Sequence, residues 1–339
     1  MKKNETLIVT ANIEKEMLPS VVNKLNSEKL FDILQNYLQY YASGESHTAR
    51  AKKYDLQHFL EFLAGTSENI PQVLVSEWTL QKTKDFIDYR LQLGESPATV
   101  NRRLATIKHF GRTLAERVHG YINPAREAKA PTLQVTKPKG LTSEEIDLLR
   151  AAAISVEEET NDSFLAQRNK FMLELLLATG LRADEVRQLV FGQISEDQQW
   201  FRNVKTKGKK YRNVYLDSSI RDTLNKYLEK RDEFIRSKFP EYQMLSKSVI
   251  DKFPLFVSSY EADINDPRTF SVAPKTIWRI ISSFGAKAQA LADKPVGNLH
   301  PHKLRHTFAH GLLDSSKDVR LVAQALGHSD VRTTMRYTE

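Results

Sequence analysis

The chain has 339 residues, 40% of them hydrophobic and 27% charged, with a formal net charge of +8. This is ordinary globular composition at a length that suggests two domains, and the basic balance favours a polyanionic partner. There is no cysteine, which excludes disulfides, thiolate metal sites and cysteine nucleophiles.

Residues 1–27 read as a loosely structured lead-in. Their longest apolar run, Leu7-Ile8-Val9, is too short for a signal peptide. No later segment approaches a membrane span, so the expected location is cytoplasmic. From residue 28 to about 120 the spacing predicts four helices. Leu30, Ile33, Leu34, Tyr37, Leu38 and Tyr41 carry the first, and Leu56, Phe59, Leu60 and Leu63 the second. Ser43-Gly44-Glu45-Ser46 separates them as a turn. Thr79 to Leu93 gives the third. Ser96-Pro97 opens the fourth, a serine cap with proline at the first helical position. Residues 121–140 carry Pro124, Pro131 and Pro138 and read as a linker.

A second domain is expected over 141–339. Thr142-Ser143-Glu144-Glu145 is a capping box that starts a helix. An apolar helix runs from Asn169 to Ala178, and another begins at Arg182. Trp200–Val204 and Tyr211–Leu216 alternate as strands around a turn from Lys205 to Lys210. Helices return over Ile220–Phe239, Lys275–Ala292, His302–Asp314 and Val319–Leu326. The class is mainly α with a small antiparallel sheet.

Charge is uneven. Residues 101–140 hold nine cations (Arg102, Arg103, Lys108, Arg112, Arg117, Arg126, Lys129, Lys137, Lys139) against Glu116 and Glu127, a net +7. A one-signed run across a domain junction is better explained as an electrostatic strip along DNA than as a solvated face. Arg50, Lys52 and Lys53 near one helix start join Arg102, Arg103, Lys108 and Arg112 as expected DNA contacts. Lys137, Lys139, Lys205, Lys209, Lys210 and Arg212 complete that set.

The residues with chemistry lie in the second half. Arg182 closes Thr179-Gly180-Leu181, with Glu185 one turn on. A guanidinium is always charged and grips two phosphate oxygens in fixed geometry, while the carboxylate orients it from behind. His302 and Arg305 are three apart, so they share a helix face. Gly327 reads as a helix stop that puts His328 in a tight turn. Tyr337 has a phenol of pKa about 10, which needs neighbouring guanidiniums and an imidazole before it attacks. The lysines of Lys205-Thr206-Lys207-Gly208-Lys209-Lys210 sit on a hairpin tip, and an ammonium there suits a general acid. A metal site at His302, His306 and His310 is set aside. The protease signature needs a Glu beside the first His, Lys303 and Thr307 do not supply it, and Arg305 repels a cation. His306 and His310 read as packing or helix-surface residues.

The succession Thr-Gly-Leu-Arg-x-x-Glu, Lys-Gly-x-Lys-x-Arg-x-Val, His-x-x-Arg, Leu-Gly-His and Thr-Thr-x-x-Tyr-Thr resembles the tyrosine recombinase (phage integrase, Xer-like) family. The likeness covers about 140–339 as catalytic domain and, with less specific motifs, 28–120 as SAM-like core-binding domain. It implies a two-domain clamp on DNA. Arg182 and Arg305 would hold the scissile phosphate, with Glu185 in support. Lys207 would protonate the leaving 5′-hydroxyl, with Lys205 and Lys209 as lesser claimants. His302 and His328 would aid proton transfer and hold the phosphate, and Tyr337 would become joined to the DNA 3′-phosphate. No metal or nucleotide cofactor is implied.

Tyr215 stands where the family often has proline. The sequence stops two residues after Tyr337, where relatives usually carry a helix that docks on a neighbouring subunit. Either that segment lies beyond this sequence or assembly uses another surface. The expectation is a monomer in solution that assembles on DNA as a tetramer of two dimers, with a second recombinase or an accessory protein as a further partner. Two rivals keep parts of this reading: relaxation of DNA in the manner of type IB topoisomerases, and a catalytically idle DNA-binding accessory factor. His302 in the His-x-x-Arg box and the helical first domain favour the recombinase.

Overall fold

The computed structural model describes residues 21–133, 140–160, 162–206, 210–292, 299–328, 332–335 and 337. The chain divides into two compact units, Met1–Val135 and Thr136–Glu339.

In the first unit, residues 21–26, read as the end of a loosely structured lead-in, are helical and Leu25 is buried. Helices α1 (Leu30–Tyr41), α2 (His47–Ala64), α3 (Leu80–Gln92) and α4 (Pro97–Arg117) follow the predicted pattern. Ser46, Thr79 and Ser96 each accept the backbone N–H three residues on. Each such cap stabilises its helix by about 1 kcal/mol. The apolar faces meet in a core of Leu30, Leu34, Tyr37, Leu56, Phe59, Phe86, Ile107 and Phe110. Trp78 stacks on Phe110 at 5.4 Å, and its indole N–H donates to Thr83.

The segment read as the start of a linker belongs to this unit. Tyr121 and Ala125 are buried in the same core, and Ala128 packs with Ile87, Val100 and Leu104. Asn123 accounts for this: its amide donates to the Lys108 carbonyl and its oxygen accepts from the Ala125 N–H. Proline signals an end of helix and says nothing about whether the chain then packs.

The second unit begins with α5 (Ser143–Glu159), whose Thr142–Glu145 capping box forms as predicted. Then come α6 (Ser163–Thr179), the short α7 (Ala183–Arg187), strands β1 (Trp200–Thr206) and β2 (Lys210–Tyr215), α8 (Ser218–Lys238), α9 (Lys247–Ile250), α10 (Pro274–Leu291), α11 (Pro301–Ser316), α12 (Val319–Leu326) and α13 (Arg332–Met335). Phe171 of α6 and Tyr227 of α8 stack with Phe256 at the centre of the core. Burying each such ring is worth about 1.5–3 kcal/mol.

The antiparallel strands pair Trp200 with Tyr215 and Phe201 with Val214, then Val204 with Arg212 and Thr206 with Lys210. A bulge absorbs Arg202 and Asn203, and Asn203 takes a positive φ of 54°. Lys205 and Lys210 are therefore strand residues rather than turn residues, both exposed. Alternation along β2 turns Arg212 to the same inner face as the buried Val214. That orientation decides the role of Arg212.

Candidate active site

Two left-handed glycines shape the site. Gly180 ends α6 with φ +59°, and its carbonyl accepts from Arg305 at 2.6 Å. A Cβ there would meet the Phe308 ring at 2.4 Å. Gly327 ends α12 with φ +66°, and a Cβ there would come within 2.4 Å of the Arg212 guanidinium. Both positions combine a backbone that L side chains resist with a neighbour that leaves no room.

Two residues after Gly180, Arg182 caps α7. Its backbone N–H and its guanidinium both donate to Glu185, at 2.9 and 2.8 Å. Arg212 donates to the two oxygens of the same carboxylate at 3.4 and 3.2 Å. Glu185 is 4% exposed, so this is a buried carboxylate between two guanidiniums. Arg305 comes from α11, is 4% exposed, and donates to the carbonyls of Gly180 and Leu326. Arg182 and Arg212 thus share one carboxylate, and Arg305 feels it through space, so these three guanidiniums and one carboxylate carry an excess of two positive charges.

The energetics of that excess are visible in the cations themselves. Burial, more than any other influence, lowers the Arg305 pKa to about 10; Arg182 and Arg212 push the same way, and Glu185 and Tyr337 oppose. Burial also lowers Arg212, against the pull of Glu185. Cations held out of water beside like charges are stabilised by an incoming anion. Arg182 is the member with its side chain partly open, 29% exposed.

The histidines surround this group. His328 follows Gly327, and its Nε2 lies 3.2 Å from Arg305 Nη2. Its Nδ1 is 2.7 Å from the hydroxyl of the buried Thr334. His302 is at the second position of α11 and exposed. Partial burial lowers its pKa first, then His300, Arg305 and Arg182, all of which disfavour the charged ring. Tyr337 is 8% exposed and packs with Ala309, Val322 and Leu326. Its hydroxyl is 2.8 Å from His306 Nδ1, and His310 meets its ring edge-on at 5.2 Å.

Of the residues singled out in the sequence, Arg182, Glu185, Arg305 and His328 are therefore gathered together, with His302 and Tyr337 on and against α11. Lys207 and Lys209 lie outside the described residues, as do Lys137 and Lys139. Two expected DNA contacts are bound to carboxylates within the protein. Arg212 is half-buried and bonds Glu185. Arg103 is 6% exposed and bound to Glu95 and Asp55. Its neighbour Arg102 also bonds Asp55, though its side chain is 46% exposed. Arg50, Lys53 and Arg112 are exposed, while Lys52 and Lys108 are half-buried. Lys52 lies over the rings of Tyr37 and Tyr41. His306 was missed. Its spacing from His302 put it on the same face, but nothing local tied it to a tyrosine 31 residues later.

The sequence model of the phage integrase family matches residues 139–339, and that of its N-terminal SAM-like domain matches residues 34–117. The tyrosine recombinase XerC of Thermodesulfovibrio yellowstonii is 30% identical over 303 residues, 89% of each chain. The tyrosine recombinase XerD of Bifidobacterium longum is 30% identical over 293 residues, 86% of each. Among solved structures, a lambda integrase dimer bound to a COC′ core site has a TM-score of 0.66 at 17% identity, covering 98% of this chain and 85% of that one. The XerH recombinase in a post-cleavage complex with palindromic difH substrate has a TM-score of 0.65 at 17% identity, covering 94% and 84%. At that identity the structures speak for the fold. The chain belongs to the phage integrase family of tyrosine-type site-specific recombinases.

Proposed function

We propose that this protein cuts and rejoins duplex DNA at a specific site through a covalent 3′-phosphotyrosyl link at Tyr337. The observation that carries the reading is the cluster of Arg182, Arg212 and Arg305 around one buried carboxylate, an excess of positive charge beside the helix that holds Tyr337. A phosphodiester supplies the missing negative charge. In this reading Arg182 and Arg305 clamp the non-bridging oxygens, and Glu185 orients Arg182. His328 and His302 add hydrogen bonds and aid proton transfer. Lys207 protonates the leaving 5′ oxygen. The charge of the pentacoordinate state is met by donors already in place. Because the tyrosyl link keeps the phosphodiester energy, rejoining needs no nucleotide.

The first domain, with Arg50, Lys52, Lys53, Lys108 and Arg112, is assigned to the DNA backbone. Such contacts give affinity and salt dependence rather than sequence choice. Together the two domains clamp duplex DNA, and protomers assemble on it as a tetramer of two dimers.

The test is covalent trapping on a nicked suicide duplex. Wild type is expected to accumulate an adduct, and Tyr337→Phe to bind the duplex with wild-type affinity and form none. An adduct that survives Tyr337→Phe moves the nucleophile elsewhere. Tight binding without any wild-type adduct favours the idle accessory factor, and efficient relaxation of plasmid lacking a site favours the topoisomerase-like reading.

A further inference from the structure

The roles assigned above leave His306 without one, yet its ring nitrogen is 2.8 Å from the proposed nucleophile. We propose that His306 is a further catalytic residue that accepts the phenolic proton as Tyr337 attacks phosphorus. The inference rests on the reading of Tyr337 as nucleophile.

Helix α11 carries His302, His306 and His310 at intervals of four, which places them along one face. The Tyr337 ring lies against that face, 5.5 Å from the His306 ring and 5.2 Å from that of His310. Ala309, Val322 and Leu326 hold the ring in an apolar seat. This packing fixes the axis of the phenol, and its oxygen ends at His306 Nδ1. With the imidazole proton on Nε2, Nδ1 is the acceptor and the phenol donates.

A phenol of pKa about 10 is almost wholly protonated near neutral pH. A base already hydrogen-bonded to it removes the proton as the new bond forms, a contribution of about 10²–10⁴-fold. In cleavage the Tyr337 Oη–phosphorus bond forms and the bond from phosphorus to the 5′ oxygen breaks. The phenolic proton passes to His306, and the 5′ oxygen takes a proton from Lys207. In rejoining, the 5′ hydroxyl attacks phosphorus and returns its proton to Lys207, the bond from phosphorus to Tyr337 Oη breaks, and the imidazolium returns its proton to the tyrosine oxygen. Nothing is oxidised or reduced, and no further reactant is needed.

Charge links this step to substrate entry. His306 bonds Tyr337, whose ring His310 also meets, and Arg305 precedes it on the same helix. Arg305 in turn lies within the charge field of Arg182, Glu185, Arg212 and Tyr337, and its guanidinium is 3.2 Å from His328. These groups leave the site with surplus positive charge, which opposes a new imidazolium. A phosphodiester held by Arg182 and Arg305 offsets that surplus and favours the imidazolium.

Adduct formation by the full chain is followed in single turnovers on the suicide duplex between about pH 5.5 and 9, across the range in which an imidazole titrates. The wild-type rate is expected to rise with pH and level off as an imidazole loses its proton. His306→Ala is expected to be slower by about 10²–10⁴-fold at neutral pH, to bind the duplex normally, and to keep rising with pH without a plateau. Added imidazole should restore part of the rate. His306→Gln keeps the size and a hydrogen-bond acceptor but takes no proton, so it should show the same loss while retaining the fold. A substrate with sulfur at the 5′ bridging position has a leaving group that needs no proton. It should rescue Lys207→Ala and fail to rescue His306→Ala or His306→Gln. Should the glutamine variant keep the wild-type rate and profile, or exceed them, His306 only seats the ring and the inference is wrong. Absence of a wild-type adduct would overturn the nucleophile assignment itself and this inference with it.

Discussion

Each unit of this protein contains a knot of arginines and carboxylates, and the two knots differ in their charge balance. In the first unit Asp55 is fully buried and accepts from Arg102, Arg103 and Thr106, while Glu95 pairs with Arg90 and Arg103. Three guanidiniums meet two carboxylates, and Arg103 spends its donors inside the protein. In the second unit, among the described residues, Arg182 and Arg212 bond the single carboxylate of Glu185, and Arg305 beside them bonds main-chain carbonyls. The first arrangement ties α2, α4 and the turn before α4 together. The second holds charge in reserve. Arginine content alone does not separate a brace from an anion site; the number of carboxylates within reach does.

Breaking the first knot should cost the most. Asp55→Ala leaves Arg103 buried with one of its two carboxylates gone, and a buried pair broken on one side typically costs about 3–5 kcal/mol. Thermal and urea unfolding should show that loss, while adduct formation per folded molecule stays near wild type. A variant that unfolds like wild type would show the Asp55 cluster to be no brace.

Removing a cation from the second knot should do the reverse. Arg305→Ala is expected to slow single-turnover cleavage by about 10²–10³-fold, the usual effect of losing one donor to a developing charge. The duplex should remain bound, and stability should change less than for Asp55→Ala. Equal losses of stability from the two substitutions would erase the distinction between them.

The smallest effect is a pH dependence that belongs to the first knot. Hydrogen bonds from Arg90, and then Arg103, hold the Glu95 carboxyl down from 4.5 to about 2. A carboxylate depressed in the folded state stabilises the fold above its unfolded pKa and loses that contribution as pH falls toward the folded value. Wild-type urea midpoints should therefore fall between about pH 4.5 and 2, and Glu95→Gln should flatten that part of the curve. An unchanged slope in the glutamine variant would remove Glu95 from the account.

Much of the fold was legible because its signals are local. Ser96-Pro97, Thr142–Glu145 and Gly327 act within three or four residues, and each marks the helix boundary it predicted. The same holds for the Arg182–Glu185 contact, which spans three residues. The hairpin was read in the right place, but its first strand runs on to Thr206 and its second covers Lys210–Tyr215 rather than Tyr211–Leu216; the bulge at Asn203 leaves no mark in the alternation.

What the sequence by itself determined is the helical plan, the two-unit division and the order of the motifs along the chain, since spacing and capping depend on near neighbours. Only the tertiary structure decided where each charge was spent. Arg103 and Arg212 look alike in a basic run, but one reaches Asp55 across 48 residues and the other Glu185 across 27. The Tyr337 hydroxyl meets His306 across 31. Contacts of that range follow from how packed helices and strands face one another, and a buried charge takes the nearest partner that packing offers.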